Sequence, residues 1–345
     1  MILDQTAFSV GGTAYRWGDV VLAAKLWGEW APLEEMVCRC LACREREGIP
    51  EPPSEEAVES AAAEFRYERD LIRAEEAEAW LARWGLTTEQ WMDHIHRSVC
   101  RQSCTVIPGT DSSEDLGENE EICSAILADA LCSGNLARFA DKLADRAAVY
   151  EKARRDGDRA AEVLSDDDLD TVFGGLARPH LSQRPRESIE TLAHFERAFQ
   201  RFCQQTVTPK AIADQINTHY LDWIRVTCRS ATFPDLETAR EAVLCVREDG
   251  RDLGEVAAEA GTEERKTQFY LDMVDQDLKD RFAGVEKGDV LGPVPLRGAF
   301  EVFLVLDKRV PSVDDPEVRQ RATDTAVRKA LDRETAFHVR WHSRP

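Results

Sequence analysis

The chain has 345 residues, 43% apolar and 32% charged, and its 44 basic against 65 acidic residues leave a net charge of −21. That composition supplies enough apolar material for a sizeable core and excludes wholesale disorder. A surface this acidic repels phosphate backbones and anionic lipid heads, so neither nucleic acid nor membrane is an expected partner, whereas a neutral or basic peptide is steered in.

The length predicts roughly two domains. No apolar run approaches the roughly 18 residues of a bilayer span. The opening Met1-Ile-Leu-Asp-Gln-Thr has neither the basic nor the apolar region of a signal peptide. A cytoplasmic location is therefore expected, with the ten cysteines reduced.

Thr6-Ala-Phe-Ser-Val reads as a short strand, and Gly11-Gly12 as a turn. Val20 to Cys43 reads mostly as helix, broken near Pro32. The next block carries the clearest signals. Ser54, followed by Glu55 and Glu56, is a helix N-cap, and that helix is expected to run through Ile72. A second helix from Glu75 to Trp84 stops at Gly85. Thr87 and Gln90 make a capping box, and Leu86 with Trp91 a hydrophobic staple, for a third helix with Ile95 and Val99 on its apolar stripe. Residues 105–118 read as a loop, Ile122 to Ala153 as helix, 154–187 as irregular, and Glu187 to Gln205 as helix. Thr208-Pro209 opens another helix.

The period then changes. Trp223 to Ser230 alternates or runs apolar, as a strand does. Helices are expected over Leu236–Glu248, Leu253–Ala260 and Val274–Val285, with a short strand at Phe269-Tyr-Leu. Val290 to Leu296 and Ala299 to Leu306 read as a hairpin. Asp315-Pro316 caps a last helix expected to reach about Trp341.

Two cysteine patterns invite a metal reading. Cys38, Cys40 and Cys43 form C-x-C-x-x-C, with 40 and 43 on one helix face. His96, Cys100 and Cys104 repeat every four residues, again on one face. Neither set supplies the four ligands of a tetrahedral site, so no metal is expected. Asp166, Asp167, Asp168 and Asp170 offer oxygens for Mg²⁺, but fit better as the acidic start of a short surface helix. The G-x-S-x-G, H-E-x-x-H, Walker A and G-x-G-x-x-G patterns do not occur, and no cofactor is expected.

Strand, helices and hairpin over about 223–310 resemble the parvulins. Gly288-Asp-Val-Leu-Gly-Pro-Val resembles a turn and strand of the family, and Ala299-Phe-Glu-Val-Phe its last strand. The upstream helices resemble the helical part of SurA-like chaperones. Phe65-Arg66, Ala79-Trp80-Leu81, Gly85-Leu86-Thr87 and His94-Ile95, together with Val256-Ala-Glu, resemble the parvulin-related proteins of ribosomal-peptide natural-product clusters, crocagin-type peptide-binding proteins among them. The resemblance implies an α+β fold: a helical SurA-like region over 1–205, a degenerate parvulin-like domain over 206–312, and a C-terminal helix over 313–345 packing back on the first.

Where parvulins place histidines, this chain has Cys228 on the first strand and Glu301 on the last. The resemblance therefore implies peptide binding more than catalysis. The partners would be a ribosomally made precursor peptide and its tailoring enzymes, with a cyclase or residual prolyl isomerase as the alternative. The binding residues it implies are Cys228, Phe269, Met273, Phe282, Phe300, Glu301 and Phe303. Alternation sends Phe300 and Val302 one way and Glu301 and Phe303 the other, so only one pair faces a groove.

Overall fold

The structure is a computed structural model that describes residues 2–45, 53–101, 120–157, 166–173, 186–296 and 298–344. The loop expected over 105–118, and Cys104 before it, lie outside these residues. The chain divides into two units, residues 1–202 with 331–345, and residues 203–330.

The first unit opens with a hairpin, β1 (Thr6–Val10) and β2 (Thr13–Arg16). Its turn uses Gly11 and Gly12 at φ of 58° and 90°. A Cβ on Gly11 would meet only the movable end of the Glu151 side chain at under 3 Å, so it is the positive φ that favours glycine there. The sequence reading stops at one strand and a turn, because Thr13-Ala-Tyr-Arg is too short and too exposed to show alternation. On its other edge β1 pairs with β7 (Val339–Trp341). Here the expectation of helix to Trp341 is corrected: the last helix ends at His338, and the next three residues are strand. Trp341 packs on Phe8 at 5.2 Å between rings. The His342 N–H donates to the Ala7 carbonyl at 2.9 Å. The Trp17 indole donates to the Ser343 hydroxyl, which donates in turn to the Thr6 carbonyl, both at 3.1 Å.

Helices follow: α1 (Trp17–Leu26), α2 (Ala31–Glu45), α3 (Glu55–Glu68), α4 (Ala74–Trp84) and α5 (Thr88–Cys100). The break expected near Pro32 falls at residues 27–30, and Pro32 itself lies in the first turn of α2. The caps read from sequence are present. Ala57 N–H donates to Ser54 Oγ, Thr87 and Gln90 exchange their hydrogen bonds, and Gly85 turns left-handed at φ 67°. The first of these helices ends at Glu68, before the expected Ile72, because Asp70 takes a positive φ of 56°. The single helix expected from Ile122 to Ala153 is two, α6 (Glu120–Cys132) and α7 (Asn135–Arg155), separated at Gly134 with φ 76°. The short helix expected from the Asp166 to Asp170 run is α8 (Asp166–Phe173), inside a stretch otherwise read as irregular, and it buries Leu169 and Phe173. Helix α9 (Arg186–Thr206) follows.

The main core of this unit gathers Phe8, Trp17, Trp84, Phe139 and Phe195. A smaller one holds Val58, Phe65, Ile95 and Cys132. Within it Asp129 of α6 is fully buried. Its Oδ1 accepts from His94 Nδ1 at 3.0 Å and from Arg97 at 2.7 and 3.1 Å, both on α5. No single described helix is long and apolar enough to cross a membrane.

The second unit begins with α10 (Pro209–Thr218), capped by Thr208 as expected. Strand β3 (Arg225–Phe233), α11 (Leu236–Arg247), α12 (Leu253–Glu259), β4 (Glu264–Tyr270), α13 (Gln276–Ala283), β5 (Val290–Leu296) and β6 (Ala299–Arg309) follow. The sheet is antiparallel in the order β4-β3-β6-β5. Helices α11 and α12 cover one face, over Ala231, Phe233 and Val302. Helix α13 covers the other, over Val226, Cys228, Phe303 and Val305. Helix α14 (Pro316–His338) starts here, burying Val318 and Ala322 against Ile216, Trp223 and Tyr270. The fold class is thus α+β, a helical region, a sheet region and a C-terminal helix.

Two consequences are measurable. Burial pushes the Asp129 carboxyl up, but the hydrogen bonds from His94 and Arg97 outweigh it and hold the group below the usual carboxylate range. Its stabilisation is therefore complete above about pH 4, the unfolded value, and fades as pH falls through the lower folded value. Removing one member of a buried pair costs roughly 3–5 kcal/mol. Asp129→Asn should lower stability by about that amount in urea unfolding at pH 7, and by progressively less below pH 4. Gly292, at φ 147°, has the Glu301 carbonyl and Val302 Cα at 3.0 and 3.1 Å from where a Cβ would stand. Gly292→Ala should cost about 1–3 kcal/mol in the same measurement.

Candidate functional site

The sheet face beneath α13 is built by alternation. On β3, Val226 and Cys228 point to it; on β6, Phe303 and Val305; on β5, Leu291 and Val294. Helix α13, capped by Asp275 accepting from the Leu278 N–H at 2.8 Å, adds Leu278 and Phe282. Strand β4 sets Thr267 opposite Cys228 and Phe269 opposite Val226.

Four of the sequence-derived residues meet here. Phe282 is fully buried between Phe269 and Phe303, edge-on to both at 5.1 and 5.3 Å. Cys228 belongs to the same cluster, with Sγ 3.1 Å from Thr267 Oγ1. Burial pushes the Cys228 thiol up; the Thr267 hydrogen bond offsets part of this and the Glu301 charge adds to it. A neutral thiol is a poor base and a poor nucleophile at neutral pH. Glu301 is half-buried on β6, between Val294 of β5 and Thr232 of β3.

Two others do not join them. Phe300, offered with Phe303 as a groove wall, lies on the opposite face. It packs on the α11–α12 cluster and pairs with Phe233. Met273, just past β4, is 70% exposed. Cys228, Phe282 and Phe303 are themselves buried, so Phe269, half-buried, is the ring of the cluster that reaches the surface. Thr267 escaped the sequence reading because β4 was expected to span three residues and spans seven. Alternation of Thr267 and Phe269 was the available signal, obscured by the charged run Glu264-Arg265-Lys266 before it.

The two sheet edges differ. Strand β5 carries Pro293 and Pro295 and a register shift between Leu291 and Val294. Proline has no N–H to offer a further strand. Strand β4 has no proline, pairs on one side only among the described residues, and exposes Arg265, Lys266 and Gln268. Arg229 of β3 is tied to Asp252 at 2.8 Å and to Glu264, which fixes the start of β4 against α12. The strands of this sheet carry no histidine. Among the described residues no three His, Cys, Asp or Glu side chains are placed to hold a metal ion.

No family model matches the chain, and no curated protein matches it. Solved structures similar to it include a peptidylprolyl isomerase, PrsA, from Bacillus cereus, at 13% identity and TM-score 0.31, covering 61% of this chain and 84% of that one. PrsA from Bacillus subtilis is similar at 14% identity and TM-score 0.22, over 61% and 86%. A structure from the SurA-like chaperones PEB4 and Cj1289 of Campylobacter jejuni is similar at 8% identity and TM-score 0.21, over 59% and 87%. Likenesses this distant do not assign an activity.

Proposed function

We propose that this chain is a non-catalytic peptide-binding protein. An extended peptide adds to the β4 edge and lays alternate side chains along Thr267 and Phe269. The observation that carries the reading is the contrast between edges: β5 is interrupted by prolines, whereas β4 offers seven proline-free residues beside an aromatic cluster. Main-chain hydrogen bonds supply affinity in this mode, and the flanking side chains supply selection.

The occupant we assign is a ribosomally made precursor peptide, held for tailoring enzymes in the cytoplasm. The net charge of −21 supports a neutral or basic segment, and the resemblance of the helical block supports the pathway class. The alternative, a cyclase or a residual prolyl isomerase, needs more than the cluster offers. Twisting a proline amide faces a barrier of ~18–20 kcal/mol, and the thiol nearest the aromatic rings is held neutral by burial.

Calorimetric titration of the full chain with the precursor peptide tests the site. Truncating an aromatic anchor typically costs about 2 kcal/mol, or ~30-fold in affinity. Phe269→Ala should weaken binding by that factor while circular dichroism remains that of the wild type. Unchanged affinity in the folded variant would move the peptide off this edge. In a proline-peptide assay the wild-type protein should leave the uncatalysed rate unaltered. Acceleration that disappears in Cys228→Ala would make it an isomerase instead.

A further inference from the structure

Members of the two cysteine patterns of the sequence, two on α2 and one on α5, meet in the structure. Cys40 and Cys43 are buried on one face of α2, and Cys100, half-buried in the last turn of α5, packs against the cluster they form. Each helix is otherwise committed to a different core. Leu33 and Val37 of α2 belong to the main core, and Ile95 of α5 to the smaller one around Phe65. The three thiols form a separate apolar cluster, with no other apolar side chain among the described residues, where the two helices touch. They are not disposed as a metal-ligand set, which leaves the chemistry of the thiols themselves.

We infer that Cys100, with Cys40 or Cys43 as its partner, is a disulfide-forming site that locks α5 to α2 under an oxidising glutathione couple. Cys100 is the more exposed member and takes the first step. Its thiolate attacks a sulfur of oxidised glutathione, and a glutathione thiolate leaves and takes up a proton. The thiolate of Cys40 or Cys43 then attacks the Cys100 sulfur of the mixed disulfide and expels the second glutathione. The two protein thiols lose two electrons and two protons, and oxidised glutathione becomes two reduced molecules. The product ties together two helices whose apolar faces serve separate cores, and so constrains the unfolded chain as well. Cys38 faces away from the cluster on α2. Burial and the neighbouring Glu34 carboxylate push its thiol up, which suppresses its thiolate.

The test uses the full chain, folded, equilibrated in glutathione buffers of rising oxidised fraction and then alkylated. Trypsin cuts after Arg39, Arg44, Arg97 and Arg101, so residues 40–44 and 98–101 are released as separate peptides. The expected product is these two peptides joined, with a loss of about two mass units. The melting temperature should rise by roughly 4 °C or more on oxidation. Cys100→Ser should abolish both changes, and so should the double change Cys40→Ala with Cys43→Ala, whereas Cys38→Ser should leave both intact. A bond confined to residues 40–44, a link from Cys38 to its neighbour Cys123 on α6, or thiols that stay reduced while the protein is folded would each overturn the assignment. Because the peptide map is read on the wild-type chain, a variant that fails to fold does not decide the outcome.

Discussion

The sheet region depends on one constraint: β3 is paired along both edges and covered on both faces. Val226 and Cys228 point into one cluster, Ala231 and Phe233 into the other. A strand in that position tolerates a charge only when it is neutralised, since an unpaired buried charge is far costlier than a lost contact. Its two arginines obey this. Arg225 is tied to Asp315 and Glu317, and Arg229 to Asp252 and Glu264. Those ion pairs anchor the N-terminus of α14 and the start of β4 to the centre of the sheet. The same constraint explains why the first-strand position of interest holds a cysteine. A small, neutral, weakly polar side chain fills the site without demanding a counter-charge.

From that strand the candidate surface follows in steps. Register sets Thr267 beside Cys228, and packing places Phe282 between Phe269 and Phe303. The ring stack is closed on its inner side and open at β4. In the proposed reading recognition falls to that edge, where β4 pairs on one side only among the described residues and Phe269 is the ring of the cluster within a peptide's reach.

Much of this was legible in the sequence wherever a local signal and the tertiary fold agree. Ser54, Thr87 with Gln90, Gly85 and Thr208-Pro209 mark helix boundaries that the structure keeps, because capping is a short-range interaction. The strands were harder. Val339–Trp341 is strand only because β1 offers it an edge, and no local pattern announces a partner so distant in the chain. Strand β4 hid behind its charges, since an edge strand is solvated on much of its surface and loses the apolar alternation by which a strand is recognised. The face of Phe300 was undetermined for a related reason. Alternation separates the two faces but does not say which is covered by which helix, and here both are covered. The meeting of the two cysteine patterns was invisible for want of any rule that brings α2 to α5.

The pairing of β1 with β7 also bears on how the chain comes off the ribosome. Ser9 and His342, hydrogen-bonded across that junction, stand 333 positions apart in the chain. Residues 203–330 have all their strands in hand well before β7 is made, while β1 must wait with one edge vacant. Closing so long a loop costs only logarithmically more than closing a short one, and an already compact intervening segment shortens the effective distance. The hazard is kinetic. Until β7 arrives, Phe8 and Val10 present an apolar strand edge to every neighbouring nascent chain. The order of synthesis thus leaves β1 the last of the described strands to gain its second partner.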